Sequence, residues 1–275
     1  LVVVPDRSDR GSFEVAWEVR RFDSIDSTNS YLMREALSGA PEGVVAVADY
    51  QSAGRGRLER RWESPPGASL LVSVLLRPRL EPDRLARVLW AASLAMVEAC
   101  ESKAGVDLAI KWPNDLIVPE VHPFAGGRKV AGILSEAQFS LDPPAVVVGV
   151  GVNVNWPTRL LQDPSVGGNA TSLNVLCGHD VDRDGLLDCF LERLGEKLAS
   201  AGTTAGAARL LNSYRARCAT LGTAVEVQTS TALLVGWATS LDETGALLLD
   251  TPAGTKRIVS GDVVRVRGNE RGWTR

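Results

Sequence analysis

The densest concentration of chemistry-bearing side chains is the run Gly54-Arg55-Gly56-Arg57-Leu58-Glu59-Arg60-Arg61-Trp62, with four arginines in eight positions. Arginine is always charged and offers a planar fork of donors that matches phosphate and carboxylate oxygens. Glycine lets a backbone approach an anion closely, and Trp62 adds a flat face for a base or another planar ring. A solvated basic loop has the same composition, so the run alone does not fix a function. A second group, Lys111-Trp112-Pro113-Asn114-Asp115, gathers a cation, an amide and a carboxylate at a proline turn. Lys111 is suited to neutralising a phosphate and Asp115 to holding Mg²⁺, although Pro-Asn-Asp is also an ordinary β-turn. Third, the basic pair Arg128-Lys129 opens an apolar run that Gly132 interrupts, and a glycine inside a strand often marks close approach by a ligand or another backbone. Fourth, Gly149-Val150-Gly151-Val152-Asn153 lacks the third glycine and the following helix of a dinucleotide loop, which excludes a Rossmann reading. As a strand, it places 149, 151 and 153 on one face, leaving room for a ligand toward which Asn153 would point.

These groups need a scaffold, and the periodicity supplies one. Residues 1–20 have mixed charge and little pattern and read as an arm or edge segment. Ser27-Thr28-Asn29 followed by Tyr31, Leu32 and Ala36 and closed by Gly39 predicts a capped short helix. Val44–Ala48 and Ser69–Arg77 predict strands on either side of a loop over Gln51–Gly67. Apolar residues at Leu85, Val88, Leu89, Ala92 and Met96 predict a helix from Arg84 to Cys100. Asp107–Trp112, Val130–Gln138 and Ala145–Asn155 read as strands, and Asp184–Ser200 and Thr204–Ala219 as helices. Beyond Gly222 the texture changes to five short strands, at Ala224–Gln228, Leu233–Ser240, Ala246–Leu249, Lys256–Val259 and Val263–Arg267. Turns such as Asp242-Glu243-Thr244-Gly245 separate them and predict a small barrel. The boundary falls at about residue 221, giving units 1–221 and 222–275.

The bulk properties exclude several classes. A net charge of −3 gives the whole chain no attraction for nucleic acid or anionic membrane, so any anion site must come from local clustering. No stretch approaches the roughly 20 apolar residues of a membrane span, which predicts a soluble, cytoplasmic protein. Cys100, Cys177, Cys189 and Cys218 have no CxxC spacing and read as reduced thiols. His122 and His179 are the only histidines, which argues against a His-rich zinc site or a His-dependent triad, with His179 left open as a lone base.

Taken in order, Ser27-Thr28-Asn29, Gln51 with Gly54-Arg55-Gly56-Arg57 and Trp62, Lys111–Asp115, Lys129-x-Ala131-Gly132, and Gly149, Gly151 and Asn153 resemble the biotin–protein ligase family, over about residues 20–270. The resemblance implies an α+β catalytic domain like that of class II aminoacyl-tRNA synthetases, with a mixed β-sheet flanked by helices, plus a small C-terminal SH3-like β-barrel. It implies activation of biotin with Mg-ATP to biotinyl-5′-AMP, then transfer to a lysine of a biotin carboxyl carrier domain. By the same resemblance, Ser27, Thr28, Asn29, Gln51, Gly54, Arg55, Gly56 and Gly132 serve biotin, Gly132 by leaving room for its tail. Arg57 and Lys129 meet the biotin carboxylate and the α-phosphate, with Lys129 the main electrostatic catalyst and Asp115 beside it. Trp62 packs over adenine, and Arg60, Lys111, Asn114, Asp115 and Asn153 serve ATP and its Mg²⁺, whose ligands stay unassigned.

Two departures stand out. After Gly56 the family continues Arg-Arg-Gly-Arg, whereas this chain has Arg57-Leu58-Glu59-Arg60. The segment Val118–Gly127 is longer than usual and reads as a surface insertion. Only about 20 residues precede the first motif, which predicts a ligase without a DNA-binding domain; a homodimer is compatible with it. The rivals are a lipoate–protein ligase of the same fold and a non-catalytic nucleotide- or RNA-binding module. Exposed glycines and mutually repelling arginines predict that Gly54–Trp62 is disordered until a ligand binds.

Overall fold

The computed structural model describes residues 15–78, 81–118, 127–163 and 169–267. The elements run β1 (Glu18–Phe22), α1 (Thr28–Leu37), β2 (Val44–Ala48), β3 (Ser69–Leu76), α2 (Ala86–Ala104), β4 (Ala109–Lys111), β5 (Asp115–Val118), β6 (Arg128–Gln138), β7 (Ala145–Asn153), α3 (Thr158–Leu161), α4 (Leu173–Cys177), α5 (Arg183–Ala201) and α6 (Thr204–Arg217). The chain continues through β8 (Thr223–Gln228), β9 (Leu233–Leu241), β10 (Leu247–Thr251), β11 (Gly254–Ile258) and β12 (Asp262–Arg267). Among these residues no helix is long and apolar enough to cross a membrane.

Strands β1–β7 form one sheet in the order β1-β2-β3-β7-β6-β5-β4. Only β1 and β2 run parallel; the remaining neighbours are antiparallel. The mixed α+β architecture inferred from the sequence is therefore present. Every residue of β3 is buried, as a central strand covered on both faces requires. On one face Val72, Val74, Val146, Val148, Val150 and Val152 pack with α2 and α5 into the larger core. On the other, Leu32 and Ala36 of α1 cover Val44, Ala46, Leu75, Ala145 and Val147.

The period of two along β7 explains why the second face opens into a cavity. Val147 is the last large residue beneath α1; the next two on that face are Gly149 and Gly151. α1 itself ends where its chemistry dictates. Ser27, in extended conformation, accepts from the Ser30 amide as N-cap, and Gly39 takes the positive φ that stops the helix.

Strands β8–β12 form an antiparallel sheet in the order β11-β10-β9-β8-β12. It is keyed to the larger sheet through the Lys111–Asp115 turn. Trp112, 3% exposed, donates its indole N–H to the Gly245 carbonyl (3.0 Å), and its backbone N–H goes to Thr220 Oγ1 (2.9 Å). Tyr214 of α6 donates its hydroxyl to the Pro113 carbonyl (2.8 Å). Burial in this joint pushes the Tyr214 phenol well above its ordinary range, so it stays a neutral donor.

The sequence reading missed β1, β5, α3 and α4. β1 overlaps the end of residues 1–20, the span read as an arm or edge segment, and forms the edge of the sheet. β5 was hidden because Asp115 belongs to both a turn and the strand that follows it. The long Val118–Gly127 insertion lies, for residues 119–126, outside the described residues, as does His122.

Candidate active site

Cross-strand register sets the floor of the site. Gly151 of β7 is opposite Gly132 of β6, and Gly132 is opposite Asp115 of β5. Two residues along, Ser73 of β3 is opposite Gly149 of β7. Over this floor a single cavity is lined by Ser27, Thr28, Asn29, Gln51, Arg55, Gly56, Arg57, Arg60, Trp62, Asn114, Asp115, Lys129, Gly132 and Asp262, among others.

One end is a hydrogen-bond relay of neutral side chains that terminates on the Glu136 carboxylate, itself paired with Arg55 (2.9 Å). Glu136 is a carboxylate acceptor, so Asn29 must turn its Nδ2 toward it (2.9 Å). Asn29 Oδ1 then accepts from Ser73 Oγ (2.6 Å), which lies 2.7 Å from Thr28 Oγ1, and the Thr28 hydroxyl also reaches Gln51 Oε1 (3.1 Å). Gln51 Oε1 accepts from the Thr28 backbone N–H (2.7 Å). Thr28, Asn29 and Ser73 are all buried, and this pairing satisfies them in a place where an unmet polar group costs about 1–3 kcal/mol, while buried Ser27 is paired with the Ser30 amide. A methyl group placed on Gly149 would fall on Asn29 Oδ1 and only 2.9 Å from its Cγ, so only glycine lets Asn29 reach Ser73.

The Gly54–Trp62 run folds as a closed hairpin. Arg55 bridges to Arg61, Gly56 N donates to Arg60 O (2.8 Å), and Trp62 N donates to Gly54 O (3.0 Å). The arginines do not repel it open because each is partnered. Arg55 meets Glu136 (2.9 Å), Arg57 meets Asn114 Oδ1 (3.2 Å), Arg60 meets Asp262 (2.6 Å), and Arg61 meets the Ser52 carbonyl (2.8 Å). At the tip, Arg60 N donates to Arg57 O (3.1 Å), and Leu58 and Glu59 have φ of 54° and 60°. Positive φ at both central residues is the conformation of a type I′ turn, which favours Asn-Gly; each side chain there costs about 1–2 kcal/mol. The double substitution Leu58→Asn, Glu59→Gly is therefore expected to tighten the tip. Amide exchange at Gly56 and Arg60 should slow by about tenfold, equivalent to about 1.4 kcal/mol. Unchanged exchange at both would contradict the strained-turn reading.

The other end is cationic. Lys129 Nζ is 2.7 Å from Asp115 Oδ1 and 5.3 Å from the centre of the Trp62 ring. Arg57 meets neutral acceptors, namely Asn114 Oδ1, the Gly261 carbonyl (3.2 Å) and Ser260 Oγ (3.5 Å). Burial lowers the Arg57 pKa below its usual value, partly offset by the fields of Asp262 and Asp115. The group still stays charged at neutral pH, and its partial desolvation strengthens its attraction for an incoming anion.

Most sequence-predicted residues meet here, but three do not line the cavity. Gly54 sits behind it, where the missing Cβ admits the Trp62 carbonyl. Lys111 pairs with Asp115 across the β4–β5 hairpin, at the far edge of the sheet. Asn153 is buried and donates to the Thr171 carbonyl (3.0 Å), with its Oδ1 unpartnered among the described residues. The space over Gly132 is also filled: a Cβ there would meet Trp62 Cζ3 at 2.9 Å and Lys129 Nζ at 3.1 Å. Gly151 admits the same ring, with Trp62 Cε2 2.5 Å from a Cβ placed on it. These glycines make room for Trp62, and the buried indole N–H has no acceptor among the described residues. His179 is exposed and does not line the cavity, and the four cysteines are free thiols. Sequence reasoning missed Glu136, Ser73 and Asp262. The first two stand at alternating positions of strands otherwise read as core, a polar residue on a buried face being the available signal.

The description "Biotin/lipoate A/B protein ligase family" matches residues 21–153, and "Biotin protein ligase C terminal domain" matches residues 220–266. The bifunctional ligase/repressor BirA of Bacillus spizizenii is 34% identical over 246 residues, spanning 88% of this chain and 72% of that protein. The biotin--[acetyl-CoA-carboxylase] ligase of Mycobacterium tuberculosis is 35% identical over 251 residues, spanning 88% of this chain and 86% of that protein. Among solved structures, the biotin protein ligase from Aquifex aeolicus in complex with biotin and ATP superposes with a TM-score of 0.75 at 29% identity, covering 91% of this chain and 99% of that one. With this floor of glycines, this relay and this cationic hairpin in one cavity, the chain belongs to the biotin protein ligase family.

Proposed function

We propose that this chain joins biotin to ATP to give biotinyl-5′-AMP and diphosphate, and then passes the biotinyl group to a lysine of a biotin carboxyl carrier domain. The observation that carries this reading is the cavity's polarity: a neutral relay of Thr28, Asn29 and Gln51 at one end, Arg57 and Lys129 at the other. Biotin has the matching order, with a ureido group that both donates and accepts, an apolar ring and chain, and a terminal carboxylate.

In the first step a carboxylate oxygen of biotin bonds to the α-phosphorus of ATP, and the bond to the diphosphate breaks. Two anions must meet, so the residues' task is positioning and charge compensation. Lys129 and Arg57 fill that role beside the reacting atoms, while Asn114 holds Arg57 in place. In the second step the acceptor amine attacks the acyl carbon, AMP leaves and the amine loses a proton. ATP in such reactions carries Mg²⁺. Asp115, which lines the cavity, would hold it, since one carboxylate with substrate phosphates suffices for Mg²⁺; it would lend its charge to the phosphates. Trp62, which lines the cavity with an unmet indole donor, is assigned to the nucleotide side. The catalytic unit spans residues 1–221 and the C-terminal unit residues 222–275.

Lipoate has the carboxylate but no ureido group, so it would leave the relay's polar groups unmet. A site built to hydrogen-bond a substrate rejects an analogue lacking that group by about 10⁴-fold. Binding of both acids measured by calorimetry should favour biotin by at least about 10³-fold. Comparable affinities would shift the assignment to lipoate.

A further inference from the structure

The cavity holds a carboxylate that a site for two anionic substrates has no evident use for. Asp262 opens β12 in the C-terminal sheet and lines the cavity, where a negative charge opposes anion binding. Its Oδ2 lies 2.6 Å from Arg60 Nη2. The two residues before it act on the same loop, the Gly261 carbonyl and the Ser260 hydroxyl both facing the Arg57 guanidinium. Three consecutive residues of one unit thus hold both arginines that flank the Leu58-Glu59 tip, some 200 positions away in the chain.

The placement of this turn is set by the sheet. Asp262 is in register with Gln228 of β8, and a Cβ on Gly261 would come within 2.9 Å of Val227 Cγ1. The C-terminal sheet is itself keyed to the Lys111–Asp115 turn by Trp112 and Tyr214. The hairpin therefore bears on a fixed post. Its own tip turn is strained at two residues, so an external contact is needed to keep it shut.

We infer that Asp262 is a positioning residue for retention of the activated intermediate: by holding Arg60 it keeps the arginine hairpin closed over the cavity until an acceptor amine arrives. The inference rests on the biotin-ligase reading above. It also gives Arg60 a task in this chain, where Leu58-Glu59 leaves the family pattern: Arg60 ties the hairpin to the C-terminal unit.

The test uses the full chain with saturating biotin and ATP and no acceptor, and measures biotinyl-adenylate released to solution against that retained after rapid filtration. Saturation keeps a weakened ATP affinity from imitating the effect. A half-exposed pair contributes at most about 1 kcal/mol, or about fivefold, so Asp262→Asn should raise the released fraction by about fivefold. Arg60→Gln, which breaks the same pair from the other side, should match it and serves if Asp262→Asn fails to fold. Asp262→Glu, which keeps the charge, should stay near the unaltered chain, whereas a merely structural aspartate would not be replaced this way. Release from Asp262→Asn and Arg60→Gln equal to that of the unaltered chain would overturn the inference, as would equal release from Asp262→Glu and Asp262→Asn. An unaltered chain that makes no adenylate would instead overturn the functional reading beneath it.

Discussion

Replacing Lys129 with methionine is expected to slow adenylate formation by about 10²–10³-fold, the usual cost of removing one preorganised group from a site of developing charge. Lys129 lines the cavity with its ammonium between Asp115 and the Trp62 ring. As the biotin carboxylate closes on the α-phosphate, that ammonium offsets the rising negative charge. Methionine keeps the unbranched stem over Trp62 and removes only the charge. It also leaves Asp115 as an uncompensated anion beside two anionic substrates, so the loss exceeds that of a bystander cation. Diphosphate release under single-turnover conditions reads the effect, and the thermal midpoint should move little. A near-normal rate would transfer the electrostatic role to Arg57, because Lys111, the other lysine of the sequence motifs, stands outside the cavity.

Gly149→Ala is expected to disable biotin binding without replacing any side chain assigned to biotin. The added methyl takes the space of Asn29 Oδ1. Asn29 cannot swing aside cheaply, being 4% exposed and bonded at both ends of its amide, to Ser73 and to Glu136. Overpacking of this kind costs about 1–3 kcal/mol, and breaking the buried relay adds about 1–3 kcal/mol for each group left unmet. The expected result is a fall in thermal stability together with at least tenfold weaker biotin binding. Calorimetric titration alongside a melting curve separates the two. Unaltered biotin affinity in a destabilised protein would mean that the relay does not face the substrate.

Much of this was legible from residue order. The helix cap at Ser27, the strands flanking the arginine run, the two long helices near the middle and end of the larger unit, and the change of texture near Gly222 all follow from local periodicity and turn chemistry. The cavity residues were also found, because several chemically unusual motifs occur in one order. What local pattern could not supply was distance across the chain. Glu136 fixes the Asn29 amide from a strand about a hundred positions away, and Asp262 reaches Arg60 from another sheet. Both carboxylates meet arginines of the hairpin, contacts that composition alone does not reveal. The glycines show the same limit from the other side. Gly132 and Gly151 do leave space, but only the three-dimensional packing reveals that the Trp62 ring fills it.

The central claim is that one cavity both activates biotin and delivers it. The direct measurement is incubation of the chain with labelled biotin, ATP and a biotin carboxyl carrier domain, with lipoate in a parallel reaction. Label should appear on a single acceptor lysine, dependent on ATP and accompanied by AMP and diphosphate, and lipoate should not be transferred. No label on the acceptor, or transfer of lipoate in preference to biotin, would contradict the account.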